Sequence, residues 1–103
     1  MVMRITREQG TRSQATLKIE GTVTGEWAAL MERECQNLLH SCDAVGLDLR
    51  EVTFVDRAGL ETLERLSRAG VEICCRFGVV ASVLEAEGVR VTRVSNGVDD
   101  GLP

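Results

Sequence analysis

Three times along this chain the spacing of apolar residues switches from every second position to every third or fourth, and back again. A period of two marks a half-buried strand, and a period between three and four marks one face of a helix. A chain that alternates them must interleave strands and helices. A helix between two strands makes those strands parallel neighbours joined by a right-handed crossover. The pattern therefore points to an α/β domain before any single residue is considered.

Residues 2–7 place Met3 and Ile5 against Arg4 and Thr6, a short first strand. The polar residues 9–14, with Gly10, predict a hairpin loop. Ala15, Leu17 and Ile19 then alternate with Thr16, Lys18 and Glu20 in a strand running toward Val23. Trp27, Leu30, Met31, Cys35, Leu38, Leu39 and Cys42 form one stripe, so residues 25–41 read as an amphipathic helix with Thr24 as N-cap. Val45, Leu47 and Leu49 alternate with Ala44, Gly46 and Asp48, the signature of a central strand needing close approach on its small side.

Residues 50–55 are expected to be a connection. Leu60, Leu63 and Leu66 mark a second helix, closed by Gly70 and supported by the pairs Glu61/Arg65 and Glu64/Arg68. Val71, Ile73, Cys75 and Phe77 alternate with Glu72, Cys74 and Arg76 as a further strand. Val79, Val80, Val83 and Leu84 suggest a third helix stopped at Gly88, and Val89 and Val91 begin a last strand. The expected order is β-β-α-β-α-β-α-β, with residues 1–94 as one domain and 95–103 as a flexible tail.

A length of 103 residues suits one domain. Trp27, Phe54 and Phe77 are its aromatic side chains, so the core is aliphatic. A net charge of −4 lacks the basic field that releases counterions from nucleic acid, so no nucleic-acid partner is expected. No apolar run is long enough to span a bilayer, and residues 1–7 lack a signal-peptide block. A cytoplasmic protein without direct membrane insertion is expected.

Cys35, Cys42, Cys74 and Cys75 show no metal-ligand spacing and read as reduced packing residues. His40 is the only histidine, and helical geometry points it away from Cys35 and Cys42. No phosphate-cradling glycine motif is present. No enzyme activity, cofactor or metal is expected. Asp56 invites comparison with a phosphoacceptor receiver domain. Such a domain needs an early acidic pair and a late Lys, and Lys18 is the chain's only lysine.

The local chemistry concentrates where the second helix begins. Asp56 is a strong N-cap type whose carboxylate can accept from the N–H of Ala58 or Gly59. A helix N-terminus is rich in donors and favours anions. Arg57 is the oddity, because a cation in the first turn opposes the helix dipole at a cost of about 0.3–1 kcal/mol. It either extends into solvent or meets a partner. Gly59 lets another backbone approach or fits against the sheet.

Leu47-Asp48-Leu49, Val52-Thr53-Phe54-Val55-Asp56 and Ala58-Gly59-Leu60 together resemble the signature strand and loop of STAS domains. That family includes the anti-sigma factor antagonists and the cytoplasmic tails of sulfate transporters. The segment Ile19-Glu20-Gly21-Thr22-Val23-Thr24 is similar to the part of the family before its first long helix. The resemblance implies a mixed sheet of four to five strands with helices mainly on one face. It also implies a partner-binding surface, here Asp56, Arg57, Ala58, Gly59, Leu60 and Thr24.

In the antagonists the implied partner is an anti-sigma kinase, and a Ser or Thr after the Asp is phosphorylated to break the contact. Arg57 occupies that place. The second helix also looks a turn short, and the long C-terminal helix of many antagonists is not expected here. Short STAS subunits of bacterial lipid-transport ABC systems lack that helix too, and there the implied partner is the ATPase. A second copy of the chain is a further candidate partner.

Overall fold

A computed structural model describes residues 3–8, 13–76 and 78–94, with the backbone alone for Val79, Arg93 and Val94. Most of the expected hairpin loop, Phe77 and residues 95–103 lie outside the described residues. The elements are β1 (Met3–Glu8), β2 (Gln14–Val23), α1 (Gly25–Ser41), β3 (Ala44–Val55), α2 (Arg57–Arg68), β4 (Glu72–Arg76), α3 (Val79–Ala86) and β5 (Thr92–Val94). Their order is the one read from the apolar periods.

The strands form one five-stranded sheet in the order β1-β2-β3-β4-β5. β1 pairs antiparallel with β2, and every later pair is parallel. The three crossovers thus step in the same direction. Right-handed crossovers that all step one way place their helices on the same face. Burial agrees with this. Ala15, Leu17 and Ile19 of β2, Val45, Leu47 and Leu49 of β3, and Ile73 and Cys75 of β4 are all buried, and Leu17, Leu47 and Ile73 share one row. Met31 and Cys35 of α1, Leu63 and Leu66 of α2, and Ala81 and Leu84 of α3 close the core over them. The fold is a mixed α/β sheet with helices on one side.

The opposite face carries Thr16, Lys18, Gly46 and Cys74, all half-buried, and the buried Asp48. Asp48 is held by its neighbour: Arg50 donates from its backbone N and Nε to Oδ1 at 3.0 Å, and from Nη2 to Oδ2 at 2.8 Å. Burial pushes the Asp48 carboxyl up, but the hydrogen bonds and charge of Arg50 outweigh that and hold it below its ordinary value. A Cβ on Gly46 would meet its neighbours at an ordinary 3.6 Å, so the expected close approach on this side does not occur.

Residues 50–55 are not a connection but the second half of β3. The ladder with β2 slips between Lys18 and Glu20 and again between Gly21 and Thr22, so β3 carries extra residues at two bulges. Burial consequently shifts phase, from Val45, Leu47 and Leu49 to Val52. A broken alternation reads as loop in sequence although the hydrogen bonds continue.

Smaller differences have equally local causes. Ala28 is buried on α1 while Leu30 is half-buried, because the small side chain lies closest to the sheet. Val83 is exposed on α3, where Ala81 and Leu84 face inward. Val89 is buried in the turn, and β5 begins only at Thr92. Arg65 does not pair with Glu61. It reaches α1 instead, donating from Nε and Nη2 to Glu32 at 3.0 Å, while Arg68 and Glu64 pair as expected at 2.8 Å.

Both later helices end alike. Gly70 and Gly88 take positive φ of 99° and 86° as C′ residues. Val71 N–H then reaches Leu66 O and Val89 N–H reaches Leu84 O, with all four side chains buried. This is the Schellman arrangement, and its apolar contact fastens each turn to the core.

Candidate functional site

β2 and β3 end side by side, with Val23 paired to Val55, and both lead directly into helices. The N-termini of α1 and α2 therefore emerge together at the carboxyl end of the sheet. Asp56 stands between them as N-cap of α2. Its Oδ1 accepts from Gly59 N at 2.8 Å, the bond expected of a cap. Its Oδ2 accepts from Gly25 N of α1 at 3.2 Å. One carboxylate thus satisfies an orphan donor on each of two helices.

This corrects the role expected of Thr24. Thr24 does precede α1 and its carbonyl accepts from Trp27 N at 2.8 Å, but its side chain makes no cap bond. The Asp56 carboxylate, which sequence spacing alone cannot bring there, serves α1 in its place.

Gly59 and Leu60 are buried. A Cβ on Gly59 would overlap the Val23 carbonyl oxygen and lie 2.8 Å from Val55 Cγ1. The glycine therefore lets the first turn of α2 press onto the ends of β2 and β3, and the backbone that approaches it is the chain's own. Asp56 is half-buried, whereas Arg57 and Ala58 are exposed. Of the six expected surface residues, Asp56, Arg57, Ala58 and Thr24 gather at the surface, and Gly59 and Leu60 support them from below.

Arg57 does not simply extend into solvent. Its Nη1 donates to Glu87 Oε1 at 3.2 Å, at the C-cap of α3. Glu87 was not among the expected site residues. Its signal was legible all the same, since an acid directly before the C′ glycine of a helix opposes the dipole. Phe54 was missed as well, because residues 50–55 read as a connection. Phe54 is 54% exposed just before Val55-Asp56, and the adjacent Thr53 donates from Oγ1 to Gly21 O at 3.2 Å.

A cleft of about 240 Å³ lies along the same half of β3, lined by Arg50, Glu51, Val52, Thr53, Arg76 and Val80 among others, with Arg76 paired to Glu51 at 2.8 Å. A larger one of about 560 Å³ lies toward the opposite end of the parallel strands, by Gly70 and Gly88. Among the described residues no helix is long and apolar enough to cross a membrane.

No protein-family model and no curated protein matches the chain. Solved structures do. The anti-sigma factor antagonist SpoIIAA in its unphosphorylated form superposes with a TM-score of 0.70 at 14% identity, over 84% of this chain and 82% of that one. An anti-sigma factor antagonist from Mycobacterium paratuberculosis superposes with a TM-score of 0.72 at 17% identity, over 84% of this chain and 79% of the other. Identities this low speak to the fold, and in fold the chain is a STAS-like domain.

Proposed function

We propose that the chain is a non-enzymatic regulatory module that docks a protein partner on the surface around the N-terminus of α2, in the manner of an anti-sigma factor antagonist. The observation that carries the reading is the surface at the start of α2, with Asp56 half-buried and Arg57 and Ala58 exposed, on a fold shared with two such antagonists. The reading places the protein in the cytoplasm and gives it no cofactor.

The strand order supports binding over catalysis. In open parallel sheets, ligand crevices form where the strand order reverses. Here the order among the described strands runs monotonically, so it has no such reversal.

Docking on this surface does not depend on phosphorylation of the loop. Arg57 has no hydroxyl, and two helix-terminal donors, Gly25 N and Gly59 N, already serve Asp56. With Arg57 in the place of the family's phosphoacceptor, that position has no hydroxyl to take a phosphate.

The test is affinity capture from bacterial lysate with the wild type and Arg57→Glu, bound proteins being identified by mass spectrometry. An ATP-binding anti-sigma kinase that is captured by the wild type and lost with the variant supports the reading. An ABC transporter ATPase would move the assignment to an accessory subunit of a lipid-transport system. Equal capture by both proteins would sink the claim that this loop is the interface.

A further inference from the structure

β3 and β4 part toward the carboxyl end of the sheet. Their register runs from Gly46 opposite Glu72 to Asp48 opposite Cys74. β3 then continues to Val55 beside β2, while β4 ends at Arg76 and the chain turns into α3. Just past the parting, the Arg50 N–H donates to the side chain of Asp48. The cleft of about 240 Å³ lies here, with Arg50, Glu51, Thr53, Arg76 and Val80 in its wall.

A guanidinium can offer its Nε and Nη2 as a fork whose two parallel N–H groups match the two oxygens of a carboxylate. Arg50 fills both places with Asp48, at 3.0 and 2.8 Å, and Arg65 fills both with Glu32, each at 3.0 Å. Arg76 fills one of them. Its Nη2 donates to Glu51 Oε2 at 2.8 Å, while its Nε is shut off from water and has no acceptor. Among the described residues, this Nε is the buried side-chain polar atom left without a partner. A buried donor in that state carries its full desolvation cost, and a second oxygen beside Nη2 would remove it.

Glu51 holds its place weakly. Its side chain and that of Arg76 are 43% and 40% exposed, and a pair of this kind contributes little to stability. Arg50 adds a second guanidinium to the wall, and Asp48 offsets its charge. Glu51 is therefore the carboxylate that an incoming anion must displace. The space equals that of about eight water molecules, enough for a small acid.

We propose that this cleft is a small-oxyanion site, in which a carboxylate or phosphate group of a small molecule sets two oxygens on Nε and Nη2 of Arg76 and moves Glu51 aside. The site is independent of docking at the start of α2, and no partner protein enters its test.

NMR titration of the isotope-labelled full chain with succinate and with inorganic phosphate tests it, with sodium chloride at matched ionic strength as control. The Nε–H signal of Arg76 is expected to move saturably with succinate or phosphate in the millimolar range, and not with chloride. The acid that saturates it identifies the chemistry the cleft takes. Backbone N–H signals of Arg50 and Thr53 follow binding in two variants, whose spectra without ligand show that they are folded. Glu51→Gln removes the competing charge and should tighten binding roughly tenfold. Arg76→Lys keeps the charge but loses the fork, and should weaken it roughly tenfold.

A signal that chloride moves as far as the two acids do overturns the proposal, as does movement confined to other arginines or a failure to saturate. Binding unchanged by Arg76→Lys, or no tighter in Glu51→Gln, overturns it equally.

Discussion

The backbone N–H of Gly25 donates to Asp56 Oδ2 at 3.2 Å, joining the starts of two helices that lie 31 residues apart in sequence. Because Oδ1 of the same carboxylate caps α2 through Gly59 N, Asp56 acts as a clamp at the point where both helices leave the sheet.

Replacing Asp56 therefore removes two caps at once. Asp56→Ala is expected to cost about 1–2 kcal/mol, the upper range for an N-cap. Asp56→Asn keeps one acceptor oxygen and should lose roughly half as much. Equilibrium urea unfolding of the three proteins measures this. An Asn variant as stable as the wild type would show that the bond to Gly25 contributes nothing.

Gly59 and Gly46 make a paired comparison. A Cβ at Gly59 collides with the Val23 carbonyl, which belongs to a strand and cannot move aside, whereas at Gly46 it meets only ordinary contacts at 3.6 Å. Gly59→Ala should destabilise by about 1–3 kcal/mol, as overpacking does. Gly46→Ala should stay within about 0.5 kcal/mol. The same unfolding experiment decides, and a harmless Gly59→Ala would refute the close approach of α2 to the sheet.

Acid should act through two carboxylates. Arg65 hydrogen bonds lower the Glu32 pKa, and at Asp48 the contacts with Arg50 overcome the upward push of burial. A folded-state pKa below the unfolded one means that the unfolded chain binds more protons, so stability rises with pH. The contribution is present above the ordinary carboxylate values of about 4 and is lost as pH falls through and below them. Asp48→Asn removes one of the two groups. The gap between its urea midpoint and that of the wild type should shrink as pH falls from about 7 to about 3. A gap that stays constant would disconnect Asp48 from the acid response.

The cysteines should differ in reactivity. Cys35 is fully buried on the inner face of α1, and burial, with Glu34 and Glu32 nearby, pushes its thiol up to about 12. Cys75 is equally buried, while Cys42 is only partly covered. A thiol reagent at neutral pH should label Cys42 in the folded protein and reach Cys35 and Cys75 only on unfolding, because the thiolate is the reacting form. Peptide mapping of the labelled protein checks the order, and early labelling of Cys35 would contradict its place in the core.

Apolar spacing by itself determined the succession of strands and helices, the buried Leu60, Leu63 and Leu66 of α2, and the glycine stops at Gly70 and Gly88. These follow from the local geometry of a backbone that must bury one face, and local geometry repeats with a fixed period. Asp56 as N-cap was legible for the same reason, since a cap bonds within its own first turn. The second half of β3 was not legible, because bulges at two places move its side chains out of phase while β2 keeps supplying hydrogen bonds. Nor could spacing show that Asp56 also serves Gly25, that Arg65 prefers Glu32 to Glu61, or that Arg57 meets Glu87. Each of these contacts spans about thirty residues or more, and only the docking of helices on one face of the sheet brings the groups within hydrogen-bonding distance.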